Sequence, residues 1–144
     1  MNTTNYSDLG ALINRVSLGI VLVAHSLYLK GVVYTLGGTA AYFDSIGLPG
    51  WTAYAVFLIE LFAGAALIAG YQVRLAALAV IPVLLGATWA HWSAGWLFSN
   101  SGGGWEYPLF LTVIALAQVF LGPGAYALKQ LPPSRDLPLP ATEA

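Results

Sequence analysis

The sequence predicts an all-α polytopic membrane protein: an antiparallel bundle of four transmembrane helices. Three observations predict it. Hydrophobic residues make up 58% of the 144 and charged residues only 8%, whereas a soluble domain carries about 25% charged residues. Mean hydropathy is +0.75. Apolar stretches of bilayer length recur, and in residues 51–70 the sole ionisable group, Glu60, sits near the middle. About 20 apolar residues are what a helix needs to cross the hydrocarbon core. Short connections, such as residues 71–74, force successive helices to return antiparallel.

The first helix is expected over residues 9–33, with Asp8 as its N-cap. At about 100° per residue, Arg15, Gly19, Leu22, Ser26 and Lys30 fall in one stripe with His25 at its flank, so this side should face other helices. Gly37-Gly38 is expected to break the helix, and residues 39–47 to form a short interfacial turn of helix. Gly47-Leu48-Pro49-Gly50 punctuates the chain before the second helix, 51–70. There Ala53, Val56, Glu60, Ala63, Gly64 and Leu67 share a face, and the small residues let a neighbour approach closely. A third helix is expected over 74–98, bent at Pro82, with Trp89, Trp92 and Trp96 around His91 at the membrane interface. The glycine-rich residues 99–104 lead to a fourth helix, 106–121, with Pro108 in its first turn. The membrane domain spans residues 1–131, and the proline-rich residues 132–144 form a disordered cytoplasmic tail.

Charge and cysteine content narrow the function classes. A net charge of −1 with no basic patch excludes nucleic acid as a partner. The absence of cysteine removes disulfides, thiolate chemistry, iron–sulfur clusters and c-type haem attachment. The N-terminus lacks a basic n-region and a cleavage site, so the first hydrophobic segment is expected to stay in the mature protein. Arg15, Arg74, Lys129 and Arg135 fall at the terminal side and Lys30 alone at the other. The positive-inside rule then puts both termini in the cytoplasm.

A carboxylate at mid-membrane depth needs protein around it and a partner. Threading the helices at about 1.5 Å per residue yields two polar layers. The inner holds Arg15, Glu60 and Gln118, with an Arg15–Glu60 pair expected; the guanidinium matches a carboxylate bidentately. The outer holds His25 and His91, with Lys30 and Glu106 as a possible lid pair. Each residue also has a plainer account. An Arg15–Glu60 pair can serve only to fix helix register. The histidines can simply bond across helices, Lys30 and Glu106 can snorkel independently, and the tryptophans can act as interface anchors.

These residues resemble the DoxX family over nearly the full chain. The resemblance rests on Arg15-x-x-Leu18-Gly19 followed by His25 and Lys30, on Gly47-Leu48-Pro49, and on Glu60-x-x-Ala63-Gly64-x-x-Leu67-x-x-Gly70-x-x-x-Arg74. His91, Gly103-x-x-Glu106-Tyr107-Pro108 and Gly122-Pro123-Gly124 complete it. It implies a small four-helix protein of the bacterial inner membrane. Some relatives are tied to redox work, as a membrane subunit of a thiosulfate:quinone oxidoreductase or a partner in a thiol and oxidative-stress complex. The chain departs from the family at Ala127-Leu128-Lys129, where Ser-Leu-Asp is usual.

The leading expectation is a membrane redox subunit with a catalytic site among His25, Glu60 and His91, binding a quinone-like or other small apolar ligand. Arg15, Lys30, Trp89, Trp92, Glu106, Tyr107 and Gln118 would surround that ligand. Histidine can bond a quinone carbonyl and exchange a proton near neutral pH. With no nucleotide fingerprint in the chain, a soluble or membrane redox partner would exchange the electrons. Alternatives are a bis-histidine haem on His25 and His91, a 2-His-1-carboxylate metal site, and two non-redox readings. Those are a proton-coupled transporter or channel, which would need a homo-oligomer, and a non-catalytic scaffold.

Overall fold

The computed structural model describes residues 6–128. Five α-helices follow one another: α1 (Tyr6–Val23), α2 (Leu36–Ser45), α3 (Trp51–Ala69), α4 (Val73–Ala90) and α5 (Glu106–Leu121). α1 runs directly into a π-wound stretch, Ala24–Val33, so one rod covers Tyr6–Val33. α1, α3, α4 and α5 form an antiparallel bundle in which α1 and α4 each pack on both α3 and α5. The short α2 lies against α3 and the π-wound stretch. Residues 129–144, and with them the expected tail, lie outside the described residues.

The exterior is that of a membrane protein. Ile13, Ile20, Leu58, Phe62, Leu75, Leu85, Phe110 and Phe120 all stand exposed around the bundle. In water such a surface would drive association; in lipid it is the contact surface. The rod Tyr6–Val33, α3 and α4 are long and apolar enough to cross a bilayer. α5, at 16 residues, reaches about 24 Å. A bilayer accommodates that shortfall by thinning locally.

The core is built from Leu18, Leu22, Ala63, Leu67, Val73, Ala77, Val80, Leu84, Leu111 and Ala115. Its tightest seam joins α1 to α3. A Cβ on Gly19 would sit 2.7 Å from the Gly64 carbonyl oxygen, and one on Gly64 would sit 3.0 Å from that of Gly19. Beyond α5 the chain docks back on α1, where the Ala125 N–H donates to the Asp8 carbonyl at 3.0 Å.

Arg15 closes this end of the bundle, and not by the expected pair with Glu60. Its side chain is 1% exposed. Nη1 donates to the carbonyls of Leu67 and Ile68, both at 2.7 Å. Nη2 donates to Ala125 and Nε to Pro123, each at 3.0 Å. The guanidinium thus caps the C-terminal end of α3, where unmatched carbonyls and the helix dipole favour a cation. It ties that end to the turn after α5. Planar donors spread around one carbon can serve several carbonyls at once, which a carboxylate partner would have prevented.

Three other expectations give way to the structure. Gly37-Gly38 lies inside α2, and the break falls at Thr35, whose φ is 60°. The third bundle helix stops at Ala90, short of residue 98. There the chain turns through a 3₁₀ segment, Trp92–Ala94, into a loop held by its aromatic residues. Trp105 stacks on Trp92 at 4.8 Å between ring centres and meets Trp96 edge-on at 4.5 Å. Trp92 and Trp96 continue the apolar period past the helix end, so periodicity alone runs on into the loop. Finally, Asp8 sits within the first turn of α1, which begins at Tyr6.

Replacing Arg15 should expose how much this cap contributes. Arg15→Met strands four carbonyls and is expected to destabilise the bundle by on the order of 3 kcal/mol or more, at about 1–3 kcal/mol per unsatisfied buried group. Arg15→Lys should recover less than half of that, because a single ammonium cannot serve all four. Thermal unfolding in detergent, followed by tryptophan fluorescence, measures both.

Candidate functional site

Glu60 reaches the interior because it shares the α3 face of Ala53, Ala63, Gly64 and Leu67, all buried. It is 6% exposed. Its partner is Lys30, whose Nζ donates to Oε2 at 2.6 Å, with the two side chains 15% and 7% exposed. The expected Lys30–Glu106 lid is absent: Glu106 instead accepts the Phe98 N–H at 2.9 Å and so pins the 91–105 loop.

Lys30 meets Glu60 from within a π-wound stretch. Residues 24–33 close i→i+5 hydrogen bonds, and the Tyr34 N–H still donates to Leu29 at 2.8 Å. A π coil is wider and rises less per residue than an α-helix. Counting 1.5 Å per residue therefore places Lys30 somewhat too near the surface, and its long flexible stem covers the rest of the distance to Glu60.

His25 belongs to the same group. It lies within electrostatic range of the Glu60 carboxylate. Its Nδ1–H donates to the Val21 carbonyl at 2.9 Å. Because a carbonyl only accepts, this bond puts the proton on Nδ1 and leaves Nε2 as the basic nitrogen. Ser26, fully buried, donates to Val23 at 3.0 Å. The imidazole stacks on Tyr107 of α5, with ring centres 6.1 Å apart.

Tyr107 is also a wall of a groove of about 470 Å³, lined by Trp96, Phe98, Glu106, Tyr107, Phe110 and Val113. A second apolar groove, between α3 and α4, includes Phe62, Tyr71 and Leu75. Neither His25 nor Glu60 nor His91 lines either groove. Tyr107 is the side chain that touches both the groove and the buried group.

The remaining candidates lie elsewhere. His91, the C-cap of α4, donates its Nδ1–H to Gly102 at 2.9 Å and holds the loop that carries Trp96 and Phe98. Trp89 is exposed, and Trp92 belongs to the loop cluster. Gln118, fully buried, accepts from Asn14 Nδ2 at 2.7 Å and donates to Gly122 at 2.6 Å, locking α5 to α1 near Arg15. Among the described residues no three His, Asp or Glu side chains converge on a metal site. Sequence reasoning missed Trp96, Phe98, Phe110 and Val113 as groove residues, since nothing in their spacing separates them from lipid-facing or interface positions.

A double-mutant cycle tests the pair. Lys30→Met leaves a buried carboxylate unmatched and should cost about 3–5 kcal/mol, while Lys30→Met/Glu60→Leu should fall within about 1 kcal/mol of the parent. Urea-free thermal unfolding in one detergent measures all four corners.

The family model described as DoxX matches residues 10–92, more than half of the chain. The Bacillus subtilis (strain 168) protein named "Putative oxidoreductase CatD" is 32% identical over 110 residues, covering 76% of this chain and 78% of that protein. The Escherichia coli (strain K12) "Inner membrane protein YqjF" is 27% identical over 129 residues, 86% of this chain and 92% of that protein. No solved structure matches significantly.

Proposed function

The chain belongs to the DoxX family of membrane proteins, and from that premise we propose that it is the membrane subunit of a redox system. In this reading a quinone-like ligand lies in the groove beside Tyr107, and its protons pass through His25 and Glu60. The observation that carries it is the His25–Tyr107 stack, which sets an imidazole in electrostatic range of a buried, charge-matched carboxylate against the wall of an aromatic groove.

The residues fit such a ligand. The open groove of about 470 Å³ has a volume within the usual range for a small-molecule site, about 300–1,000 Å³. Trp96, Phe98 and Phe110 offer flat apolar walls, and the polar groups gather at the Glu106–Tyr107 end. A quinone supplies reversible two-electron, two-proton chemistry. The chain's part is the protons: the Tyr107 hydroxyl orients an oxygen at the groove, His25 Nε2 accepts or returns a proton, and Glu60 exchanges it further in. Lys30 holds the carboxylate in place. The electrons pass to a partner protein, in keeping with the word oxidoreductase in the name of the Bacillus relative. A bis-histidine haem needs His25 and His91 to face one cavity, and neither groove is lined by either imidazole.

Protein extracted in native lipid discs should carry isoprenoid quinone at near-stoichiometric amounts, read by solvent extraction and chromatography. Tyr107→Ala and Phe110→Ala should reduce it at least tenfold, while Tyr71→Ala in the other groove leaves it unchanged. Parent protein that neither retains quinone nor binds an added short-chain analogue sinks the proposal.

We place the protein in a bacterial inner membrane with both ends cytoplasmic, on the bias of Arg74, Lys129 and Arg135. C-terminal fusions report this directly: a green fluorescent reporter should light up and alkaline phosphatase should stay inactive.

A further inference from the structure

Ten residues of π-helix is long for a winding that mostly occurs as single-turn bulges. Local propensity in AHSLYLKGVV does not select π over α winding: Ala, Leu and Lys favour an α-helix, and His, Ser, Tyr, Gly and Val only weaken it. The constraint has to come from outside the segment. We propose that the Lys30–Glu60 pair holds residues 24–33 in π winding, and that this winding turns His25 onto Tyr107. Lys30 is thus a positioning residue for His25.

The spacing carries the inference. His25 and Lys30 are five residues apart. An α-helix would set them about 140° apart around the axis, whereas i→i+5 closure stacks them on one side. In the structure Lys30 meets Glu60 at 2.6 Å, and His25 stacks on Tyr107 within electrostatic range of the same carboxylate.

The two ends of the segment are built for a change of winding. At its start, carbonyls in the last turn of α1 receive side-chain donors, Val21 from His25 and Val23 from Ser26. At its end stands Thr35, a β-branched residue at φ 60° and ψ 155°. That conformation costs on the order of 1–3 kcal/mol. Thr35 Oγ1 takes the Gly38 N–H at 3.1 Å and its carbonyl the Thr39 N–H at 2.9 Å, so α2 starts from a fixed joint. Rewinding to α lengthens the rod and moves that joint.

The chain lacks cysteine, so two can be introduced for spin labels without background. Val32 and Phe120, both exposed, lie on the π-wound stretch and on α5. Double electron–electron resonance on ligand-stripped protein in lipid discs reads the distance between them, and ¹⁵N shifts of the His25 imidazole report its surroundings. Lys30→Met, and the charge-free Lys30→Met/Glu60→Leu that carries no unmatched group, should both move the distance by several Å and shift the His25 signals. Lys30→Arg should keep both at parent values. If the charge-free double variant keeps the parent distance and His25 signals, packing alone sets the winding and the proposal is overturned. Since no ligand takes part, a parent protein without quinone would sink the redox reading while leaving this one standing.

Discussion

A carboxylate inside a bilayer must be matched by charge, and here Lys30 matches Glu60 at 2.6 Å. Much of the architecture serves this contact. α3 presents Glu60 from the face that also carries Ala63 and Gly64, so α1 can close on it through the Gly19–Gly64 seam. Lys30 comes from the far end of the same rod that makes the seam. Its position fixes the winding and the depth of everything between Val23 and Tyr34, His25 included.

The opposite end of the bundle uses a different chemistry. Arg15 is almost completely buried, yet its hydrogen bonds run to main-chain oxygens. Asn14 and Gln118 add a neutral amide bridge between α1 and α5 beside it. A cation satisfied by carbonyls is a static device, because those acceptors hold no exchangeable proton. The acid–base groups, His25, Glu60 and Tyr107, gather instead where the rod is π-wound. One end ties the helices together and the other holds the groups able to exchange protons.

Legibility in the sequence followed the same division. Glu60 as an inward group with a basic partner was readable from one stretch of apolar residues around one charge. The inward placement of Arg15 and Gly64 followed from helical spacing, and that of Gln118 from depth along its helix. Choosing Arg15 over Lys30 as the partner followed from equal rises along both helices. The π coil breaks that equality, and α3's open carbonyls claim the guanidinium first. His91 looked equivalent to His25 because both are lone imidazoles near an interface, but α4 ends one residue before it and a loop carbonyl takes its Nδ1–H.

By itself the sequence determined the membrane class, the antiparallel helices and the inward faces, because hydrophobic periodicity is a local property of each segment. Tertiary structure alone decided which cation meets Glu60, where α4 stops and how the tryptophans fold over the loop. Those outcomes depend on rise and twist summed along a helix, and on competition among distant acceptors for the same donor. A change of winding in residues 24–33 is small per residue, yet it sets which side chains share a site.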